Sequence, residues 1–450
     1  MTFAIPMPLT RRQFLSAASA ATLSAQPRRK PNIVLLVADD LGYGELGCQG
    51  NPEIPTPHID SIARDGIRFT NGYVTAPFCT PSRAGFMTGR YQTRFGHEMN
   101  AVGDRNLDEA IGLPLTETTL AARLKAEGYA TACFGKWHLG GHAKYHPLNR
   151  GFDEFYGFLH EGHYYVAPPY EGVESHLRAK EPPYDANNPL LRGREKISEK
   201  EYLTDAFARE AEAFIGRNQA KPFFLYVPWN AVHSPMQATQ ASQQRFAAIG
   251  DQHRRVFAGM LSAMDEGIGR ILRALAKAGL EQDTIVFFIS DNGGPTAELT
   301  SSNKPLRGGK GQLFEGGIRI PFLMRWSGHW KGGQVVNEPA ISLDIVPTVL
   351  AAVGMKHETN SLDGVDLTAA LGDRRRLSER TLYWRYGKNV AVRQGRWKLV
   401  RQGGAQFQLF DLDRDIAETT DLKAKESEVA ARLAEGLARL DAQMAPPRWT

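Results

Sequence analysis

The 450-residue chain contains few cysteines: only three, at positions 48, 79 and 133. Three cysteines do not make a disulfide framework, and their spacing lacks the paired short intervals of a structural zinc site. Cys48 and Cys133 are therefore predicted to be buried small hydrophobic residues, with a bridge between them as the alternative. Cys79 needs a separate explanation, because it lies in a motif of its own.

Long apolar runs and a strong charge of one sign are also lacking. No run of about eighteen apolar residues occurs, so no transmembrane helix is expected. The formal net charge of +5 depends on residues 1–30, which hold Lys and Arg but no acid. Without those residues the basic and acidic side chains are equal in number. A nucleic-acid-binding function therefore loses its main support, and no nucleic-acid partner is expected.

The first 25 residues are typical of an export signal. Paired Arg11 and Arg12 precede a short Ala-rich apolar stretch that ends in small residues near Ala25. The twin arginines resemble a Tat signal, which exports proteins that are already folded. The sequence therefore predicts a cleaved leader over residues 1–25, the Tat machinery as a partner, and a periplasmic or secreted mature protein.

Four short apolar runs separated by helix-like segments indicate an α/β fold. The runs are continuous rather than alternating, which suits a parallel sheet covered on both faces. They span residues 32–40, 130–138, 222–233 and 284–294, and the helix-like segments span residues 119–128, 201–217 and 255–279. We predict a large, mostly parallel central sheet flanked by helices, as the catalytic domain over residues 31–370.

Two regions depart from this pattern. Residues 141–200 are rich in Gly, Pro, His and Tyr without clear periodicity, which predicts a long insertion that bears on selectivity. Beyond about residue 370, short strand-like segments with Gly turns precede the amphipathic stretch ESEVAARLAEGLARLDAQM. We therefore predict a small C-terminal α+β subdomain over residues 371–450, built on a short antiparallel sheet.

Polar side chains follow each of the four predicted strands. They are Asp39, Asp40, Lys136, His138, His233, Asp291 and Asn292. In open α/β sheets, ligands bind outside the carboxyl ends of the strands, so we expect these side chains to share one site. The acids and the amide offer hard oxygen ligands, which suit Ca²⁺ or Mg²⁺ better than zinc. Taken singly, each pattern is also typical of a turn.

The segment PFCTPSRAGFMTGR places Cys79 before a proline and an arginine. Pro81 suits the first turn of a helix, which would put Cys79 at the N-terminal mouth and Arg83 on the same face. Free N–H groups and the helix dipole favour an anion there. A helix cap with a surface arginine explains the segment equally well by itself.

The segment CTPSRAGFMTGR resembles the signature of the type I sulfatases, in which C-x-P-S-R directs oxidation of the cysteine to Cα-formylglycine. Other segments expected of that family follow in order: ADDLGYGELGCQGN at 38, GKWHLG at 135, AVHSP at 231, SDNGG at 290 and LRGGKGQLFEGGIRIP at 306. The resemblance spans roughly residues 31–350, and LFDLDRDIAETTDL at residues 409–422 resembles the family's C-terminal subdomain. It implies an alkaline-phosphatase-like fold and a formylglycine-generating enzyme as maturation partner.

The resemblance also implies a nucleophile and a metal. Residue 79, oxidised and hydrated to a geminal diol, would attack sulfur through one hydroxyl. Ca²⁺, with Mg²⁺ as the alternative, would be bound by the diol of residue 79 and by Asp39, Asp40, Asp291 and Asn292. No organic cofactor is implied.

The remaining roles are assigned by the same resemblance. Arg83 and Lys136 would bind sulfate oxygens, and Lys310 would stabilise the leaving oxygen or a sulfate oxygen. His138 would hydrogen-bond the diol and act as base when the sulfated intermediate collapses. His233 would protonate the departing alcohol.

The predicted function is that of a sulfuric ester hydrolase acting on a sulfated carbohydrate or an aryl sulfate. The alternatives are a phosphonate or phosphate monoester hydrolase and, if Cys79 were never oxidised, a non-catalytic sulfated-glycan-binding protein. Several side chains of residues 141–200 either line the substrate pocket or pack the insertion: His160, His163, Tyr164, Tyr165 and Tyr170. His97 and Glu98 lie near the motif without an assigned role.

Overall fold

The structure, a computed structural model, describes residues 29–176, 187–355, 361–368 and 377–450, together with residues 1 and 371. Residues 1–30 and residues 31–450 form separate units. Apart from Met1, the predicted leader over residues 1–25 lies outside the described residues. None of the described helices combines the length and the apolar character that a membrane crossing requires.

The described residues form eighteen strands. In chain order β1 to β18 are Asn32–Ala38, Ile67–Phe69, Gly72–Tyr73, Ala130–Lys136, Glu154–Phe158, Val173–His176, Leu191–Arg192, Glu195–Lys196, Phe223–Pro228, Met236–Thr239, Thr284–Ser290, Phe322–Trp326, Gln334–Val336, Ala340–Ile341, Thr381–Tyr386, Asn389–Gln394, Trp397–Arg401 and Gln408–Asp411.

The described α-helices, α1 to α10, are Pro57–Arg64, Cys79–Thr88, Leu120–Ala126, Leu203–Arg217, Gln240–Gln244, Gln252–Lys277, Thr296–Leu299, Glu315–Ile318, Ile345–Ala352 and Ser427–Asp441. Short 3₁₀ helices occur at Tyr43–Glu45, Gly47–Gln49, Gln92–Phe95, Gly103–Leu107, Ala143–Tyr145, Pro147–Asn149 and Ser342–Asp344.

Local sequence explains where the longer helices begin. The Thr119 hydroxyl accepts a hydrogen bond from the backbone N–H of Ala122 at the start of α3. The Asp251 carboxylate likewise accepts hydrogen bonds from the N–H groups of His253 and Arg254, the second and third residues of α6. The predicted helices at 119–128, 201–217 and 255–279 are thus confirmed as α3, α4 and α6, with shifts of at most a few residues at their ends.

A ten-stranded sheet forms the centre of the molecule. Its strand order is β13-β2-β12-β11-β1-β9-β4-β5-β7-β8, and the five strands from β11 to β5 run parallel. Register along β1 runs from Asn32 opposite Thr284 to Ala38 opposite Ser290. The four predicted strands are β1, β4, β9 and β11. They are neighbours in the sheet, so their carboxyl ends lie side by side.

Both faces of this sheet are buried, which explains why its strands are apolar throughout. Along β1, Val34 and Leu36 pack on one face with α4 and α6, whereas Leu35 and Val37 pack on the other with α2, α3 and α9. Every residue of β1, β9 and β11 is buried. The mostly parallel sheet predicted from continuous apolar runs is confirmed.

The C-terminal residues form the predicted small α+β unit. Strands β15 to β18 make an antiparallel sheet in sequential order. Leu433 and Leu437 of α10 pack against it, which uses the apolar stripe of the amphipathic sequence. The same core contains Tyr73 and Leu313, so the small sheet is packed on the main body.

A buried ionic network joins the C-terminal sheet to the main body. We call it the junction cluster, and it comprises Glu315, Arg319, Arg393, Lys398 and Glu418. The Lys398 ammonium lies 2.8 Å from Glu315 Oε1 and 3.0 Å from Glu418 Oε1. Arg319 lies 3.3 Å from Glu315 Oε2. Glu418 Oε2 also accepts a hydrogen bond from the Glu315 backbone N–H at 2.6 Å.

The structure corrects one sequence prediction, concerning the insertion, and decides between two alternatives for Cys48 and Cys133. Residues 154–158 fall inside the stretch predicted to be an insertion, yet they form β5, which pairs in parallel with β4. Short length and two flanking loops concealed this strand. Cys48, half-buried, and Cys133, buried, are both free thiols, so no bridge joins them.

Candidate active site

The predicted polar residues do converge at the carboxyl edge of the sheet. Asp39 and Asp40 follow β1, Lys136 ends β4, and Asp291 and Asn292 follow β11. His138 and His233 lie beyond β4 and β9 in the same way, and the loop after β11 brings Lys310 to the edge. Asp40 and His138 adopt positive φ angles of 61° and 52°. The backbone therefore turns sharply where each leaves its strand.

Cys79 is the first residue of α2, all ten residues of which are buried. The helix begins two residues before the predicted Pro81, and Cys79 lies at its N-terminus as expected. The Cys79 thiol is 3.6 Å from Asp39 Oδ1. Burial, followed by the charge of Asp291, raises the pKa of Cys79 well above its usual value. The side chain is therefore a protonated thiol, which is poorly suited to act as a thiolate nucleophile.

Three carboxylates meet beside this thiol. Ligand atoms of Asp39, Asp40, Asp291 and Cys79 all lie within 4.8 Å of one another, and all four residues are buried. Burial, and then the charge of Asp291, raise the pKa of Asp39 from 3.8 to about 7, although Lys136 acts in the opposite direction. Acids brought this close repel one another unless cations are present.

The donor set fits a hard divalent cation. Asn292 Nδ2 donates to Asp40 Oδ1 at 2.6 Å, which turns its oxygen away from that bond. Within the described parts of the chain, the buried Asn292 Oδ1 accepts no hydrogen bond. An orphaned amide oxygen beside three carboxylates is a ligand set for Ca²⁺ or Mg²⁺. The residues present could therefore hold such an ion.

Three protein cations surround the acids. Lys136 Nζ lies 2.5 Å from Asp39 Oδ2, and Lys310 Nζ lies 2.7 Å from Asp40 Oδ2. Arg83 Nη2 lies 2.7 Å from Asp291 Oδ2. We call these six residues the sheet-edge cluster. Its formal charges cancel, so an added divalent ion would make the site positive and suited to an anionic ester.

Arg83 is more deeply engaged than its predicted role requires. Its Nε and Nη2 donate to Asp291 Oδ2 at 3.0 and 2.7 Å, and its Nη1 donates to the Lys136 carbonyl at 3.0 Å. Burial alone would lower the pKa of Arg83, but the charge of Asp291 raises it above its usual value. All three guanidinium nitrogens thus face protein oxygens, an arrangement that orients Asp291.

The hydrogen bonds of His138 define its tautomer. Its Nε2 lies 2.8 Å from the Ala101 carbonyl, which can only accept, so Nε2 carries the proton. Burial, and then the charge of Lys136, lower the pKa of His138 well below its usual value, so the ring is neutral. Nδ1 is buried and has no hydrogen-bond partner among the described residues. A neutral imidazole with one open acceptor can serve as a base.

His233 is held in the opposite tautomer. Its Nδ1 lies 2.5 Å from the Ser234 carbonyl and therefore carries a proton, while Nε2 lies 3.7 Å from Asp40 Oδ2. The Tyr165 hydroxyl donates to the His233 carbonyl at 2.9 Å and fixes the backbone here. Protonation at Nε2 would give an imidazolium next to a carboxylate, which is the arrangement of a general acid.

Of the aromatic residues expected either to line the substrate pocket or to pack the insertion, Tyr165 bonds the His233 carbonyl, and His160 lies close enough to His138 to affect its pKa. His163, Tyr164 and Tyr165 line a cavity of about 240 Å³ together with Leu190 and Glu199. The lining of that cavity includes none of the ten residues predicted to act in catalysis or metal binding. The two remaining residues of the group, His160 and Tyr170, are absent from the lining as well.

Sequence reasoning missed the residues that hold these groups in place. Thr80 N–H, at the start of α2, donates to Asn100 Oδ1 at 3.0 Å, and the Thr80 hydroxyl bonds the His138 carbonyl. Together with the bond from His138 to Ala101, these contacts close a ring. No motif marks Asn100 or Ala101, although they lie only 21 and 22 residues beyond Cys79.

An aromatic pair beside residue 79 was also missed. Phe78 and Tyr386 are half-buried, and their ring centroids lie 4.7 Å apart. Phe78 adjoins Cys79, but Tyr386 belongs to the C-terminal sheet and carries no sequence signal that would connect it with the site.

Known proteins resemble this chain in sequence and in fold. A family profile described as Sulfatase matches residues 31–355, and one described as N-sulphoglucosamine sulphohydrolase, C-terminal, matches residues 309–443. Steryl-sulfatase from Mus musculus is 34% identical over 476 residues, covering 90% of this chain and 74% of that protein. Arylsulfatase A from Homo sapiens is 37% identical over 421 residues, covering 88% and 79%. The crystal structure of Ps i-CgsB in complex with k-i-k-neocarrahexaose has a TM-score of 0.86 and 34% identity, covering 94% of this chain and 95% of that chain.

Proposed function

Because this chain belongs to the sulfatase family and is a sulfuric ester hydrolase, we propose that it uses a formylglycine made from Cys79 together with a bound divalent cation. The observation that carries the proposal is the convergence of Cys79 with three buried carboxylates, all within 4.8 Å. The raised pKa of the thiol supports it, because an unmodified Cys79 would be a poor nucleophile at neutral pH.

The cation site consists of oxygen ligands from four residues and from residue 79. The four are Asp39, Asp40, Asp291 and Asn292. Ca²⁺ is the proposed occupant, with Mg²⁺ as the alternative, and when bound it would offset the negative charge of the ester. The hydrated aldehyde of residue 79 would supply the attacking hydroxyl. Arg83 orients Asp291 and adds positive charge behind it.

The two ammonium groups of the site pair with different acids. Lys136 bonds Asp39, and Lys310 bonds Asp40. We assign Lys136 to a sulfate oxygen and to the nucleophile, and Lys310 to the leaving oxygen or a sulfate oxygen. His138 hydrogen-bonds the diol through its open Nδ1 and accepts the proton of the remaining hydroxyl when the sulfated intermediate collapses, which expels sulfate and restores the aldehyde. His233 donates a proton to the departing alcohol from Nε2.

The substrate is proposed to be a sulfated carbohydrate or an aryl sulfate. The half-buried pair of Phe78 and Tyr386 offers aromatic surface next to residue 79, which suits a ring attached to the ester. The names of two relatives specify aryl and steryl sulfates, and the crystallised relative holds k-i-k-neocarrahexaose.

The proposal also includes the maturation and export of the protein, which precede catalysis. A formylglycine-generating enzyme would convert Cys79 first, the Tat machinery would then export the folded chain, and residues 1–25 would be cleaved on export. The working enzyme would then be periplasmic or secreted, with a catalytic domain over 31–370 and a subdomain over 371–450.

Two measurements on one preparation test the proposal. Peptide mass spectrometry reports whether residue 79 is an aldehyde, and hydrolysis of 4-nitrophenyl sulfate is followed with and without a chelator. We expect an aldehyde, turnover, and loss of turnover on chelation that Ca²⁺ restores. Cys79→Ala is the inactive control, and a phenyl phosphonate ester tests the competing substrate class. Turnover by an intact thiol, or turnover indifferent to chelation, would overturn the mechanism.

A further inference from the structure

We infer that residues 97–101, with the sequence HEMNA, form a positioning segment for the reaction and that Glu98 anchors this segment to the C-terminal subdomain. The inference rests on the proposed function, because it concerns the roles proposed for Cys79 and His138. The segment contains none of the residues that the family motifs mark.

One end of the positioning segment contacts two elements of the site. Asn100 Oδ1 accepts from the Thr80 N–H at 3.0 Å, next to Cys79 at the start of α2. The Ala101 carbonyl accepts from His138 Nε2 at 2.8 Å and so keeps Nδ1 open. A shift of residues 100–101 would therefore move the nucleophile and the base relative to each other.

The other end of the segment is held by the C-terminal hairpin. Glu98 is fully buried, and its Oε2 lies 2.8 Å from Arg385 Nη2. Its Oε1 accepts from the Gly387 N–H at 2.8 Å. Arg385 is itself held by Asp441 of α10 at 2.9 Å. Both oxygens of Glu98 are thus used by the C-terminal subdomain, so Glu98 acts through its neighbours and is a positioning residue.

The last residues of the chain hold the segment from a second side. The Ala445 N–H donates to the Thr93 carbonyl at 2.9 Å, which fixes the tail beside the segment. Trp449 packs with Ala101 in a small core and meets the His97 ring edge-on, with centroids 4.8 Å apart. The segment is therefore clamped between hairpin and tail.

A matched pair of substitutions separates positioning from general stability. Glu98→Gln keeps the shape of the side chain but removes its charge from beside Arg385. The control is Asp344→Asn, because Asp344 is another fully buried acid at the same junction, held by Arg380 at Oδ1 (2.7 Å) and by the N–H groups of Ile341 and Val365. None of these partners is a predicted site residue.

For Glu98→Gln we expect kcat on 4-nitrophenyl sulfate to fall about ten- to hundredfold, because small displacements of catalytic groups have effects of that size. KM should change little, since no group that contacts substrate is removed. Asp344→Asn should lower the apparent Tm comparably while kcat stays near wild type. Rates are compared at equal aldehyde content of residue 79. Equal losses of kcat in both variants, or an unchanged kcat in Glu98→Gln, would overturn the inference.

Hydrogen–deuterium exchange gives a readout that does not depend on turnover. Glu98→Gln should speed exchange in peptides that cover residues 97–101 and 138–141, whereas Asp344→Asn should not. If the wild-type protein fails to hydrolyse sulfate esters, the proposed function fails, and exchange still decides whether Glu98 anchors the segment. Unchanged exchange in Glu98→Gln would refute the anchor.

A conservative rescue tests the contact with α2. Asn100→Asp keeps an oxygen acceptor for the Thr80 N–H, whereas Asn100→Leu removes it at similar size. We expect Asn100→Leu to lose markedly more kcat than Asn100→Asp, with KM little changed in either. Equal losses would show that the acceptor oxygen has no positioning role.

Discussion

The sheet-edge cluster and the junction cluster use the same ingredients in opposite ways. Both bury carboxylates with lysine and arginine. In the junction cluster Glu315 bonds Lys398, Arg319 and Tyr73, while Glu418 forms an ion pair with Lys398 at 3.0 Å and accepts from a backbone N–H. In the sheet-edge cluster each acid also has a cation beside it, but the three acids converge on one another and on a thiol.

The difference shows what distinguishes a site from a structural network. Like charges that converge beside open acceptors raise the energy of the empty protein, which the neighbouring lysines and arginine lower in part and a bound ligand would lower further. Asn292 Oδ1 and His138 Nδ1 are such acceptors, with no hydrogen-bond partner among the residues described. Opposite charges that satisfy one another, as around Lys398, contribute to holding two parts of the fold together. Matched substitutions in the two clusters should therefore have opposite consequences.

The largest expected effect is on activity in the sheet-edge cluster. Asp291→Asn removes a proposed metal ligand and the partner of Arg83. We expect kcat/KM on an aryl sulfate to fall by about a thousandfold or more, because charge stabilisation in the transition state is lost. The apparent Tm should fall less than in the junction variant described next, since Arg83 keeps Asp39 at 3.7 Å and one repulsive charge is also removed. Activity within tenfold of wild type, at equal aldehyde content, would contradict the assignment.

The matched change in the junction cluster should act on stability. Glu315→Gln leaves Arg319 and Lys398 without a full counter-charge in a buried position. Breaking such a pair costs about 3–5 kcal/mol, so the urea midpoint should fall clearly while kcat on the remaining folded enzyme stays near wild type. A urea midpoint equal to that of wild type would show that the cluster does not secure the junction.

Metal addition should separate the clusters in a third way. We expect Ca²⁺ to stabilise the chelator-treated protein and so to raise its apparent Tm. At a Ca²⁺ concentration a hundredfold above Kd, the free energy of unfolding should increase by about 2.7 kcal/mol. Glu315→Gln should show the same stabilisation by Ca²⁺, although its Tm without Ca²⁺ is lower. Asp40→Asn should show no stabilisation by Ca²⁺. Differential scanning fluorimetry over a Ca²⁺ series measures all three proteins, and an increment that survives in Asp40→Asn would place the ion elsewhere.

The smallest expected effect concerns a buried group outside both clusters. Burial lowers the pKa of His97 from 6.5 to about 3. Because the folded state holds the ring neutral, its contribution to stability is complete above pH 6.5 and is lost as the pH falls toward 3. Between pH 7 and pH 5 this loss amounts to about 2 kcal/mol.

His97→Phe should therefore flatten the decline of Tm between pH 7 and pH 5, since a neutral ring replaces one that gains a proton on unfolding. Thermal melts of both proteins across that range provide the measurement. Parallel curves for the two proteins would mean that His97 is protonated equally in the folded and unfolded states. The two charged clusters would then account for the acid sensitivity.

Much of the fold could be predicted from local sequence patterns, because each central strand is buried on both faces and is therefore a continuous apolar run in the sequence. The positions of Asp39, Asp291 and Lys136 follow from the same patterns, since parallel strands deliver their carboxyl ends to one edge. Strand β5 was not predicted, because its sequence, EFYGF, is short and is surrounded by loops.

The supports of the site could not be predicted in this way. Asn100 and Ala101 act through a side-chain oxygen and a backbone carbonyl in a segment without periodicity. Tyr386 and Arg385 reach the site from the far end of the chain, where an alternating strand pattern gives no hint of a partner. Such contacts depend on how the main body and the C-terminal subdomain pack against each other, and this packing cannot be predicted from a single sequence.

The pairing of Glu98 with Arg385, 287 positions along the chain, has a consequence in time. The central sheet brings the acids together without help from the last eighty residues, but the segment beside His138 gains its anchor only when the C-terminal hairpin and tail dock. Contacts of such long sequence separation close large loops and form slowly. During refolding, recovery of secondary structure should therefore precede recovery of turnover. The interval between the two measures the time between formation of the central sheet and docking of the C-terminal hairpin and tail.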